Sequence, residues 1–117
     1  MAQPIYKILG AAEWAAAEAA GSYAGSALDR ADGFIHFSTA TQVAETLRRH
    51  FAGCAELVLL EVDPERLAAP LRWEAARGGQ LFPHLYARLD CAAVMAVAAL
   101  PLGDDGRHRL PWGLDDG

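Results

Sequence analysis

Three short blocks hold the side chains able to do chemistry. Phe34-Ile35-His36-Phe37-Ser38-Thr39 places one imidazole and two hydroxyls in a run of aromatic and branched residues. On a strand, alternate side chains share a face, so Phe34, His36 and Ser38 point one way and Ile35 and Phe37 the other. A polar side chain among apolar ones needs a partner or a ligand. His36 therefore either bonds a backbone carbonyl or serves a site. Ser38 and Thr39 stand where a helix is expected to begin; they either cap it or join its unpaired N–H groups in holding an anion such as phosphate. Trp73-Glu74 sets a carboxylate beside an indole. Glu74 is a candidate orienting or basic group whose pKa burial would raise, or else an ion-pair partner of Arg72, Arg77 or Arg88. In Phe82-Pro83-His84-Leu85-Tyr86 an extended chain puts His84 and Tyr86 on one face, about 7 Å apart. An imidazole and a phenol suit a flat, polar ring, and the segment would equally serve as packing at the core edge.

Other chemistries fare worse. His36, Glu74 and His84 match no local metal-ligand spacing, so no metal is expected. Ser38 lacks the Gly-x-Ser-x-Gly turn of an acyl-transfer nucleophile. The stretch Gly21-Ser22-Tyr23-Ala24-Gly25-Ser26 lacks the Gly-Lys-[Ser/Thr] end of a phosphate loop and reads as part of a long loop, Gly21 to Gly33, able to act as a flexible lid. Cys54 and Cys91, far apart and without neighbouring cysteines, read as two small buried hydrophobes. His50 and His108 read as surface residues.

The elements that must position these groups follow from periodicity. Ile5 to Leu9 and Phe34 to Phe37 read as strands, and Ala11 to Ala20 as a short helix stopped by Gly21. Val43, Leu47 and Phe51 recur every four residues, with Gln42, Glu45, Arg48 and Arg49 facing away. Thr39-x-x-Gln42 fits a capping box at the start of this helix and Gly53 its end. Leu57 to Val62 is a buried-type strand, Leu71 to Ala75 a further one, and Val94 to Leu100 a strand or short helix. A short strand is expected within Arg107 to Leu110. About two helices and five or six strands make an α+β domain.

Size and composition bound the rest. The 117 residues fit one domain, with 103–117 a turn-rich tail, and 53% hydrophobic residues supply one core. Ten basic residues against 15 acidic leave a net charge of −5, which argues against non-specific nucleic-acid binding. Lys7 is the sole lysine. The longest apolar run, 12 residues from Cys91 to Leu102, is too short to span a membrane, and no signal peptide is visible. The expectation is a soluble, cytoplasmic protein whose partner is a small molecule; no protein partner is legible.

The blocks also occur in a familiar order. Ile5-Tyr6-Lys7-Ile8, Trp14, Gly25-Ser26 with Asp29, Asp32-Gly33-Phe34-Ile35-His36-Phe37-Ser38-Thr39, Gln42, Leu57 to Leu60, Trp73-Glu74 and Phe82-Pro83-His84-Leu85-Tyr86 together resemble the small bacterial family catalogued as domain of unknown function 952, over about residues 4–102. That family resembles the ADP-ribosyltransferase-like fold, which implies two small curved sheets holding NAD in a cleft. The resemblance implies catalytic roles for His36, Glu74 and His84. It implies NAD contacts for His36, Ser38, Thr39, Trp73 and Tyr86, and ADP-ribosyl or glycosyl transfer as the reaction. Two departures stand out. No Glu follows Glu74, and Tyr86 follows that Glu instead of preceding it. They leave a non-catalytic binding module as an alternative, and a protein acting through a partner surface as a third.

Overall fold

The computed structural model describes residues 3–114. β1 (Ile5–Gly10) runs antiparallel to β4 (Leu57–Val62), from Ile5 opposite Val62 to Gly10 opposite Leu57, and β4 pairs on its other edge with β8 (Val94–Ala99). β4 is central, and its apolar run has a simple cause: both faces are covered. Leu60 and Val62 pack with Ile5, Leu9, Leu85 and Leu89 and with Trp14 and Ala17 of α1 (Ala11–Ala20). Leu57 and Leu59 pack with Val43 and Leu47 of α3 (Val43–His50) on the opposite side. Alternation disappears because neither face needs a polar side chain.

A second three-stranded sheet has β6 (Leu81–Leu85) between β3 (Ile35–His36) and β5 (Arg72–Ala75), and a third joins β2 (Ser22–Tyr23) to β7 (Leu89–Asp90). The domain is therefore α+β, with three helices and three small antiparallel sheets among the described residues where about two helices and two sheets were expected. Beyond β3, Ser38 and Tyr6 exchange both backbone hydrogen bonds, 2.8 and 2.9 Å, which ties the second sheet's first strand to β1.

The largest departure from the sequence reading lies at Gly21 to Gly33. It is no loose loop: it contains β2 and α2 (Ala27–Asp32). Ser26 Oγ accepts the Asp29 N–H at 3.1 Å, and Asp29 Oδ2 accepts the Ser26 N–H at 2.9 Å. This reciprocal pair satisfies two otherwise orphaned donors and starts the helix despite its brevity. Gly25 is required just before it: its φ is +110°, and a Cβ there would lie 2.8 Å from the Asp29 Cβ.

Smaller corrections have equally local causes. Gln42 does not face away but is buried, its amide accepting from Thr39 N–H and donating to the Leu81 carbonyl, both at 2.9 Å. Half of the expected capping box forms, while α3 itself starts at Val43 and ends at His50, before Gly53. Residues 107–110 form only a single bridge, His108 to Leu102. Cys54 is exposed, Cys91 half-buried, and both are free thiols. No helix among the described residues is long and apolar enough to cross a membrane.

Candidate functional site

Register assembles the site. β6 sits between its neighbours so that His84 lies opposite both His36 of β3 and Arg72 of β5, with Glu74 opposite Phe82. Side chains on alternate positions share a face. Hence Phe34, His36, Arg72, Glu74, Phe82, His84 and Tyr86 occupy one side of this small sheet, and Trp73 falls on the other, half-exposed. The Phe34 ring stacks on His84 at 4.0 Å between centroids and lies 4.5 Å from His36 and 5.0 Å from Tyr86. The two imidazoles meet edge to face, 5.4 Å apart.

Each imidazole is held by its own carboxylate. His84 Nδ1 lies 2.7 Å from Glu74 Oε1, and the Tyr86 hydroxyl donates to the same oxygen at 2.8 Å. Because a carboxylate only accepts, His84 carries its proton on Nδ1, and Nε2 is the ring atom left for another partner. The His84 bond first, then the Tyr86 bond, hold the Glu74 carboxyl below its ordinary value against the opposing effect of burial. The expected upward shift is thus reversed: Glu74 is too open to solvent for burial to win. The same bond raises the Tyr86 phenol, so it stays neutral. The Arg72 guanidinium lies over the Tyr86 ring, 4.8 Å from its centroid.

His36 is clamped more fully. Its Nδ1 lies 2.5 Å from Asp29 Oδ1, its backbone N–H donates to that oxygen at 3.2 Å, and its Nε2 lies 2.9 Å from Asp32 Oδ2. Both carboxylates accept only, so both side-chain bonds form together when the ring carries two protons. Asp29 is 2% exposed and is the hub of this part of the fold. Its second oxygen accepts the Ser26 N–H and the Lys7 ammonium, each at 2.9 Å. Burial would raise the Asp29 carboxyl; the bonds from His36, Lys7 and Ser26 outweigh it and hold it well below the usual carboxylate range. Burial also lowers the Lys7 ammonium, prevailing over the pull of Asp29 and Glu13.

Lys7, Asp29, His36 and His84 border a cleft of ≈ 640 Å³ with mostly apolar walls. Lys7 and Ile8 of β1 line it, as do His36, Ser38, Phe82 and His84. Of the residues singled out in the sequence, His36, Ser38 and His84 reach the cleft. Ser38 is buried, its hydroxyl 3.1 Å from that of Thr46. Thr39, Trp73, Glu74 and Tyr86 are outside the lining. Thr39 gives its N–H to Gln42 and sets its hydroxyl 3.3 Å from that of Thr41, while Glu74 reaches the cleft only through His84. Among the described residues no cluster of three or more His, Cys, Asp or Glu is arranged to hold a metal ion.

Lys7, Asp29 and Asp32 are absent from the sequence-based set of site residues. Two signals were available. Lys7 is a lone charge in an apolar strand, the same argument that singled out His36. Ser26-Ala27-Leu28-Asp29 has the Ser-x-x-Asp spacing of a capping box, which marks a helix start inside the supposed loop.

Residues 8–97 match the family described as "Protein of unknown function (DUF952)". The crystal structure of protein CC0527 from Caulobacter crescentus is 51% identical, with 92% of this chain and 94% of that chain covered and a TM-score of 0.86. Its solution NMR structure is 53% identical over 89% and 90% of the two chains, with a TM-score of 0.79. No functionally curated protein matches the chain.

Proposed function

The chain belongs to the DUF952 family, and for this member we propose that the cleft binds NAD or a related ADP-ribosyl compound, on a scaffold of the ADP-ribosyltransferase-like kind. One observation carries the reading: two imidazoles from paired strands, each held by its own carboxylate, border a single cleft between β1 and the β3–β6–β5 sheet. A small, mostly apolar cleft with a few fixed polar groups is the usual form of a small-molecule site. Phe82 and the His84 ring offer flat surfaces to a nicotinamide or adenine, and His36 offers a donor to a ribose or carboxamide. In turnover, Glu74 keeps the His84 proton on Nδ1, and Nε2 takes the proton of the incoming hydroxyl. Glu74 is then a positioning residue, Tyr86 and Arg72 fix it, and Ser38 borders the cofactor.

A second reading has its own support. Glu74 is engaged by His84 and Tyr86 and does not line the cleft, which favours a binding module without chemistry. Calorimetric titration with NAD, ADP-ribose and nicotinamide tests both, alongside His84→Ala and His36→Ala. Binding that weakens at least about tenfold in either variant, a loss of about 1.4 kcal/mol, supports the cleft. No heat at millimolar ligand in the folded wild type refutes the NAD reading. Given binding, loss of nicotinamide release in His84→Ala separates the enzyme from the module, since removal of a general base costs about 10²–10⁴-fold.

A further inference from the structure

Lys7 is placed for more than a structural part. It is the chain's sole lysine, its side chain is 8% exposed, and it lines the cleft from the middle of β1. Asp29 does not need it for satisfaction, because Ser26 N–H, His36 N–H and His36 Nδ1 already donate to that carboxylate. Burial makes the ammonium paired with Asp29 easier to deprotonate than an exposed one, releasing the free amine, the form that attacks carbon. We propose that Lys7 is a carbonyl-trapping amine, which condenses with the aldehyde or ketone of a small, largely apolar molecule in the cleft.

The step balances without a co-reactant. Lys7 Nζ gives up a proton, its lone pair forms the C–N bond, and the carbonyl oxygen takes that proton. The carbinolamine hydroxyl then takes a second proton and leaves as water, giving a protonated imine. Ammonium plus carbonyl thus gives iminium plus water, with no change in charge. Asp29 faces Nζ from α2 at 2.9 Å and is placed to relay the protons, and it balances the iminium as it balanced the ammonium. Tyr6 of β1, Glu13 of α1, His36 of β3, His50 of α3 and His84 of β6 are the other charged and titratable groups around the cleft. NAD carries a carboxamide and no aldehyde or ketone, and the benzaldehyde probe below carries no ADP-ribosyl group, so this activity and the NAD reading fail independently.

The test is reductive trapping. Folded protein is treated at pH 7 with benzaldehyde and sodium cyanoborohydride, and the adducts are mapped by peptide mass spectrometry. An ordinary lysine, with a pKa of about 10.4 against about 7.8 for a chain's α-amine, holds about 340-fold less free amine at that pH. The expected result is a Lys7 adduct that outpaces the α-amine adduct, with the preference lost in urea. In Lys7→Arg the α-amine adduct alone remains. Labelling of the α-amine alone, with Lys7 untouched until urea unfolds the chain, overturns the proposal. The comparison of native and unfolded wild type decides the matter even where Lys7→Arg does not fold.

Discussion

Asp29→Asn changes one atom type at the hub of the α2–β3 corner and leaves the shape intact. In the wild type, one carboxylate oxygen accepts two donors from His36, and the other accepts the Ser26 N–H and the Lys7 ammonium. An amide offers one accepting oxygen and one NH₂. Whichever way it is turned, two donors face N–H groups, and Lys7 is left as a buried charge without its counter-ion. Removing one partner of a buried pair costs about 3–5 kcal/mol. Against a domain stability of about 5–15 kcal/mol this is a large fraction. At about 4 °C per kcal/mol for a chain of this size, the melting temperature should fall by about 12–20 °C. Urea and thermal unfolding followed by circular dichroism measure it. A double variant adding Lys7→Met removes the stranded ammonium and should recover part of the loss, a coupling of about 1–3 kcal/mol. A drop below about 4 °C in Asp29→Asn, or no coupling with Lys7→Met, would refute the hub argument.

Other perturbations read separate parts of the same structure. The Asp29 carboxyl titrates lower folded than unfolded, so below about pH 4 the unfolded chain takes up a proton that the folded chain refuses. Its contribution is complete above that pH and fades as pH falls toward the folded value. Urea midpoints between pH 5 and pH 2 should show an acid limb that is shallower in Asp29→Asn by about 1.4 kcal/mol per pH unit. Gly25→Ala sets a Cβ 2.8 Å from the Asp29 Cβ at a φ of +110°, so unfolding should show a loss of more than about 1 kcal/mol. Glu74→Gln replaces the carboxylate that raises the Tyr86 phenol by a neutral, weaker acceptor, so in a spectrophotometric titration the first tyrosine to ionise should do so at lower pH than in wild type, while Tyr6, held at about 12 by burial and Glu61, does not move.

Much of the frame was legible because it depends on periodicity and local stops. Leu57–Val62 is the observed β4, and Val43 with Leu47 is the buried stripe of α3. The grouping of His84 with Tyr86 followed from strand alternation, and both reach Glu74. The α2 segment was not legible in the same way. It has six residues, too few for a periodic pattern, and its formation rests on one reciprocal cap and on tertiary bonds from Lys7 and His36. Those partners lie 22 and 7 residues away from Asp29, so no local window holds them together. Trp73 illustrates the converse. The resemblance implied an NAD contact for it, whereas alternation beside Glu74 sends it to the other face of β5.

The two carboxylate–imidazole pairs are unequal, and the inequality assigns them different parts. His84 keeps Nε2 for a newcomer, whereas both nitrogens of His36 are engaged, one by buried Asp29 and one by Asp32. A ligand reaching His36 must compete with the partner that is easier to displace. That partner is Asp32, whose side chain is 42% exposed. An ion pair so open to solvent is worth about 0–1 kcal/mol, so its removal strengthens a ligand's bond to Nε2 by no more than about fivefold. It also withdraws a negative charge near any phosphate. Asp32→Ala should therefore bind NAD or ADP-ribose up to about fivefold more tightly by calorimetry, with unfolding stability changed by less than about 1 kcal/mol. Weaker binding in a fully folded variant would mean that Asp32 holds His36 in its binding orientation, and His36 would then act through that clamp.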